Sequence, residues 1–204
     1  VSETPAVGLP LKRLPPGRHG LPRELVRESQ KQRLIAAAGD SLAEHGYARV
    51  TTTEIAKRAG VSTSTFYKRF DDLWACLLAA YEVATERLCG QIEATCLAAG
   101  PDRRQRAEAG IASALALLAA EPGLAHLLSA EPPSQAAALW SARLRLTARL
   151  AILLHNSREF GGSADREARL IGGAMSLVSM RARIRGADRL EDLAPALNQI
   201  LLSP

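Results

Sequence analysis

Aromatic side chains are scarce in this chain: three Phe, three Tyr and two Trp among 204 residues. Its core must therefore be aliphatic, and runs rich in Ala and Leu without β-branched alternation favour helices throughout. Cysteine is equally sparse. Cys76, Cys89 and Cys96 are odd in number and lack C-x-x-C spacing, which suits a reduced, cytoplasmic protein rather than a disulfide framework. His19, His45, His126 and His155 are scattered, so neither a metal nor a cofactor is expected. No stretch of about 18 apolar residues is free of charge, so no membrane-spanning helix is expected. The N-terminus has no apolar signal core. The chain also has no GxSxG, no HExxH, no glycine-rich phosphate loop and no persuasive Cys/His arrangement, and no enzymatic activity is expected.

The chain has a basic excess, +5 in formal charge. It is uneven: residues 1–80 carry 12 Lys+Arg against 8 Asp+Glu, and residues 81–204 carry 14 against 13. A basic N-terminal half suits a partner that presents phosphate.

That half contains the most specific stretch, YARVTTTEIAKRAGVSTSTFYKRF, residues 47–70. Thr51 followed by Glu54 has capping-box spacing, so a helix starts near Thr52. Ile55, Ala56 and Ala59 give it an apolar side. Gly60 supplies the left-handed stop, and Val61 fills the corner. Ser62 then caps a second helix from Thr63. Phe66 and Phe70 must point inward, so Ser64 and Lys68 face away from the core, with Thr65 and Tyr67 beside them and Thr63 at the tip. Thr52 and Thr53 present hydroxyls at the start of the preceding helix. Two short helices, a glycine turn and an exposed hydroxyl-rich, basic face are the layout of a helix-turn-helix that reads DNA.

Three segments follow from the rest of the pattern. Residues 1–21 are rich in Pro and Gly, and Lys12, Arg13, Arg18 and the adjoining Arg23 make them basic; they read as a mobile basic arm, either reaching along DNA or merely solvated. Residues 22–70 form the DNA-binding domain, whose first helix opens near Pro22, carries the inward stripe Leu34, Ile35, Ala38 and Leu42, and stops at Gly46. Residues 71–204 read as a helical body. A long helix capped by Asp71 or Asp72 runs to about Ala99, and further helices are expected over 102–120, 122–130, 134–158, 164–185 and 189–202. Leu115, Leu118, Leu144, Leu150, Leu154, Leu170 and Leu177 fall on apolar stripes and are assigned to the core.

The run RLIAAAGDSLAEHGYARVTTTEIAKRAGVSTSTFYKRF resembles the N-terminal domain of the TetR family of bacterial transcriptional regulators. The likeness is close over residues 33–70 and looser over 22–81. It implies an all-α protein: a three-helix helix-turn-helix domain followed by a helical ligand-binding and dimerisation domain. It implies base contacts from Thr63, Ser64 and Thr65, a backbone contact from Tyr67, and a guanine or phosphate contact from Lys68, with Thr52 and Thr53 near phosphate. The partners implied are a palindromic double-stranded operator, a second copy of the chain and a small-molecule effector. The dimer is expected to use helices 164–185 and 189–202, with Gly172, Gly173 and Ala174 allowing close approach. Repression relieved by the effector is the implied mode; a ligand-independent DNA-organising or partner-binding helical protein is the alternative. Trp74, Tyr81, Trp140, Thr147, Met175 and Val178 are the candidate pocket residues. One of Arg143, Arg145 and Arg149 turned inward would suit an anionic or acyl-type ligand; otherwise all three are solvated. The chain departs from the family in one respect. The family often has a Lys near the start of the fourth helix, and here Phe70 is followed by Asp71, Asp72 and Leu73.

Overall fold

The computed structural model describes residues 22–155, 164–186 and 189–202. All regular elements among these residues are helical. They are α1 (Arg23–His45), α2 (Thr52–Arg58), α3 (Thr63–Tyr67), α4 (Leu73–Ala98), α5 (Arg103–Ala120), α6 (Pro122–Ser129), α7 (Ala137–His155), α8 (Ala164–Arg185) and α9 (Ala194–Leu202). The arm, residues 1–21, lies outside the described residues.

Local chemistry sets the helix ends. Thr51 Oγ1 accepts from the Glu54 amide at 3.2 Å and Ser62 Oγ from the Thr65 amide at 3.1 Å. Asp72 Oδ1 and Asp102 Oδ1 each accept an amide at 2.7 Å, starting α4 and α5. Each such cap is worth about 1 kcal/mol against alanine. Between α2 and α3 the Gly60 amide donates to Lys57 O and the Val61 amide to Ala56 O, both at 3.0 Å, with Gly60 at φ 65°. This paired closure needs a left-handed residue, and only glycine takes that conformation without steric cost. The expected helix over 189–202 is broken: a single 3-10 turn, Glu191–Leu193, precedes α9.

One apolar core runs through the whole described chain. Leu34, Ala38 and Leu42 of α1 meet Ile55, Phe66 and Phe70 of the helix-turn-helix. The same cluster continues through Cys76, Leu77 and Tyr81 of α4 into Leu115, Leu139 and Leu146 of the body. Helix α1 also packs on α6, where Gly39 and Gly123 bring the two backbones together. A Cβ on Gly123 would lie 3.2 Å from the Gly39 carbonyl carbon and 3.0 Å from Asp40 Oδ1.

Helices α4 and α7 run side by side in the same direction. Arg145 reaches Glu82 at 3.5 Å, and Arg149 reaches Glu86 at 2.6 Å and Glu93 at 3.2 Å. The assignment of Leu144 to the core does not hold, for Leu144 is 67% exposed. The inward position on that turn of α7 belongs to Arg143, and Leu144 lies ~100° further round the helix. Leu115 and Leu118 are buried, and Leu150, Leu170 and Leu177 are partly buried.

Candidate nucleic-acid interface and interior cavity

The recognition surface rests on a short helix held from behind. Phe66 and Phe70 are buried with ring centroids 5.8 Å apart, and the edge of the Phe66–Tyr67 pair closes at 5.4 Å. With both phenylalanines inward, Thr63, Ser64, Tyr67 and Lys68 are exposed. Thr65 is half-buried, and its hydroxyl lies 2.9 Å from Ser62 Oγ inside the cap. Its methyl group is therefore the part freer to meet a thymine methyl. Thr52 is half-buried and Thr53 exposed. Thr52 Oγ1 and Tyr67 Oη lie 3.4 Å apart, so the first helix and the recognition helix offer hydroxyls side by side. Two such donors from different helices can straddle one phosphate, which positions a protein on DNA without reading sequence.

Cations brace the domain from outside. Arg33 Nη1 donates to the Ala59 carbonyl at 2.9 Å, tying α1 to the end of α2. Arg69 Nη2 donates to Gln30 Oε1 at 2.8 Å. Arg58 pairs with Glu44, whose carboxyl that contact holds below its ordinary range. Arg69 and Arg58 are thus engaged within the protein, whereas Lys68 stands exposed beside Tyr67.

The body holds an apolar, partly open cavity of about 130 Å³. Helix α4 contributes Leu88 and Ile92 to its wall, α7 contributes Leu146 and Leu150, and α8 contributes Met175 and Val178. Of the six pocket candidates, Met175 and Val178 therefore line it. Trp74, Tyr81, Trp140 and Thr147 do not. Trp74 is half-buried against the core, Trp140 is half-buried near the start of α7, and Thr147 turns its hydroxyl to Arg143 O at 3.0 Å and Met175 Sδ at 3.7 Å. Tyr81 is fully buried.

Most lining residues are aliphatic and indistinguishable in sequence from ordinary core. Gly110 is a sequence signal absent from the expectations above: a glycine inside an Ala/Leu helix costs about 1 kcal/mol relative to alanine. A Cβ there would sit 2.9 Å from Cys96 Sγ, on the cavity wall. Among the described residues no three His, Cys, Asp or Glu side chains come together as a metal site, and no single helix is long and apolar enough to cross a membrane.

The paired helices, the glycine turn and the outward hydroxyls define a helix-turn-helix protein of all-helical build. Residues 34–80 match the family described as bacterial regulatory proteins, tetR family. An uncharacterized HTH-type transcriptional regulator of Mycobacterium tuberculosis is 40% identical over 63 residues, 30% of this chain and 32% of that protein. A regulator of the same description from Mycobacterium bovis matches equally. The match thus spans about a third of the length of these relatives. The fold is shared more widely. The fatty acid degradation regulator FadR of Bacillus halodurans superposes with a TM-score of 0.73 at 20% identity, over 85% of this chain and 95% of that one. FadR of Bacillus subtilis, solved with stearoyl-CoA, gives 0.70 at 18% identity, over 84% and 97%. Residues 34–80 thus carry a tetR-type N-terminal domain, and the helical fold of the described chain is similar to that of TetR-family regulators.

Proposed function

We propose that this protein is a homodimeric, sequence-specific transcriptional repressor of the cytoplasm, released from a palindromic operator by a small-molecule effector. In this reading residues 22–70 read DNA, residues 71–204 dimerise and bind the effector, and the basic arm of residues 1–21 adds phosphate contacts. Thr63, Ser64 and Thr65 meet base edges. Tyr67, Thr52 and Thr53 hold the backbone, and Lys68 reaches guanine or phosphate. No catalytic step is assigned to the chain.

The observation that carries the reading is the single core that joins the recognition helix to a cavity in the body. Helix α4 belongs to both: its first turns pack under Phe66 and Phe70, and its later turns wall the cavity. A guest that binds better when α4 is displaced would shift the protein away from its DNA-bound state. A dry apolar cavity of ~150 Å³ takes a benzene-sized guest, so the space of about 130 Å³ is sufficient for a small apolar group without rearrangement. The Bacillus subtilis FadR, which shares this fold, was solved in complex with stearoyl-CoA, and this supports a ligand-responsive reading.

A dimer follows from mechanism, because one recognition helix spans too few base pairs for useful specificity. Its surface is offered by α7 and α8 together. Leu144 and Ile152 on α7 and Met180 and Ile184 on α8 are large, apolar and exposed. Gly172 and Gly173 have nothing within 4 Å of the place a Cβ would occupy, leaving room for a second backbone. Helix α9, proposed from sequence as half of the interface, contributes Ile200 as its exposed large apolar residue.

Selection from a random duplex library at near-physiological salt, with competitor DNA, tests the reading. Recovery of a palindrome with fixed half-site spacing supports a dimeric regulator. Binding without any motif, fading as salt rises, would leave only phosphate attraction and favour a DNA-organising role.

A further inference from the structure

Arg143 is the one charged side chain buried in the described core, at 8% exposure. Its three hydrogen bonds all leave from Nη1, to the carbonyls of Leu128 and Ser129 at 3.2 Å and of Ala130 at 3.4 Å. These close the C-terminus of α6. No carboxylate among the described residues lies within ion-pair distance of it, although Arg145 and Arg149 on the same helix both have acidic partners on α4. A buried guanidinium without a counter-anion is costly, and carbonyl dipoles on one nitrogen offset only part of that cost.

Two phenols share the neighbourhood. Tyr47, in the turn after α1, and Tyr81, on α4, both feel the Arg143 charge, and Tyr81 also feels Tyr47. Both hydroxyl oxygens are buried and lack a hydrogen-bond partner. Thr85, one turn beyond Tyr81, has a third buried hydroxyl in the same condition. Buried hydroxyls are normally bonded, so two orphan phenols beside an unpaired cation, with a third orphan hydroxyl one helical turn along α4, are informative.

Two helix stripes connect this cluster to the cavity. On α4, Tyr81, Thr85, Leu88 and Ile92 follow one another at helical spacing, and the last two line the cavity. On α7, Arg143, Leu146, Leu150 and Leu153 do the same, and the last three line it. Since α4 and α7 run in the same direction, the polar ends of both stripes coincide, and so do the apolar ends.

We infer that Arg143, with the hydroxyls of Tyr47, Tyr81 and Thr85, forms the head-group subsite for an effector with an anionic head and an unbranched alkyl chain, the chain lying in the apolar cavity. The inference rests on the effector-controlled reading above and names the ligand class for it. The rise of α4 from Tyr81 to Ile92 is ~16 Å, matching the length of a medium chain, and the cavity of about 130 Å³ has to widen to take that chain's full volume. Because Tyr47 belongs to the DNA-reading domain and the other groups to the body, an anion here contacts both sides of the junction.

The test uses the full chain without DNA, titrated calorimetrically with decanoate, decyl phosphate and decan-1-ol. The expected result is that decanoate or decyl phosphate binds at least roughly tenfold tighter than decan-1-ol, as hydrogen bonds to a charged group imply. Which of the two anions leads identifies the head group as carboxylate or phosphate. Arg143→Met should abolish the preference for the anion. Tyr81→Phe, which only removes an orphan hydroxyl and keeps the fold, should reduce the preference several-fold and leave decan-1-ol unaffected. The inference is overturned if the three probes bind alike, if none binds, or if Tyr81→Phe leaves the preference unchanged. If the anion binds but does not release operator DNA, the subsite stands and effector-controlled repression fails.

Discussion

At the residue scale, Gly123 decides how closely α6 approaches α1. Replacing it with alanine places a methyl group against the Gly39 backbone and Asp40. Overpacking of this kind costs about 1–3 kcal/mol, and for a chain of this size Gly123→Ala should lower the melting temperature by a few degrees in a thermal scan. An unchanged or raised temperature would show that the helices separate freely. Tyr67→Phe removes one exposed hydroxyl next to Thr52. It should weaken DNA binding several-fold on every sequence alike, in equilibrium titrations against specific and scrambled duplexes; loss on the specific site alone would make Tyr67 a base reader. The buried acids predict an alkaline limit. Burial pushes Cys76 from 9.0 to about 12, Cys89 from 9.0 to about 11, and Tyr47 from 10.0 to about 12. Above pH 9 the unfolded chain loses these protons while the native state keeps them, so stability falls as pH rises. Urea midpoints should be flat with respect to these groups up to about pH 9 and decline from there towards pH 11–12.

At the scale of elements, the short helices were the most legible in sequence because their ends are local chemistry. Thr51, Gly60 and Ser62 act within three or four residues of themselves, and the hydrogen bonds expected of them are present. Facing was harder. Leu144 and Arg143 are neighbours on α7, and burying the arginine while exposing the leucine reverses what their polarity suggests. That reversal depends on the α6 carbonyls that receive Arg143, which no local pattern announces. The cavity was hidden for a related reason. A void is a property of how α4, α5, α7 and α8 stack, and its aliphatic lining reads as core; the four aromatic and hydroxyl-bearing residues favoured from sequence lie outside that lining. The exposed face of α7 and α8 carries its own test. Ile152 is 61% and Ile184 71% exposed. Ile184→Arg should therefore leave the monomer fold intact, shift the protein to monomers in sedimentation, and reduce operator binding by at least tenfold. A variant that stays dimeric would move the interface to another face.

At the scale of the molecule, the proposed coupling of DNA reading to effector binding makes its own prediction. The recognition helix has only five residues and no independent stability. It packs chiefly on α2, and Phe66 and Phe70 bury it in the core that α1 and α4 share. A guest stabilises whichever state it prefers in proportion to its occupancy. A ligand of the cavity should therefore raise the melting temperature of the free protein with concentration and, in parallel, weaken its hold on DNA. Stabilisation without release would separate binding from regulation.

The continuous core also limits how such a regulator can be rebuilt. A fragment ending at Phe70 would bare the side of α1 that faces α6 and the underside of Phe66 and Phe70. Grafting this DNA-reading segment onto another regulator's body therefore means transplanting a seam: the donor's α1 with its glycine, and the recipient's α4 and α6, have to be exchanged together. New operator preferences are easier to reach by changing the outward side chains of α3 in place than by swapping the segment as a cassette.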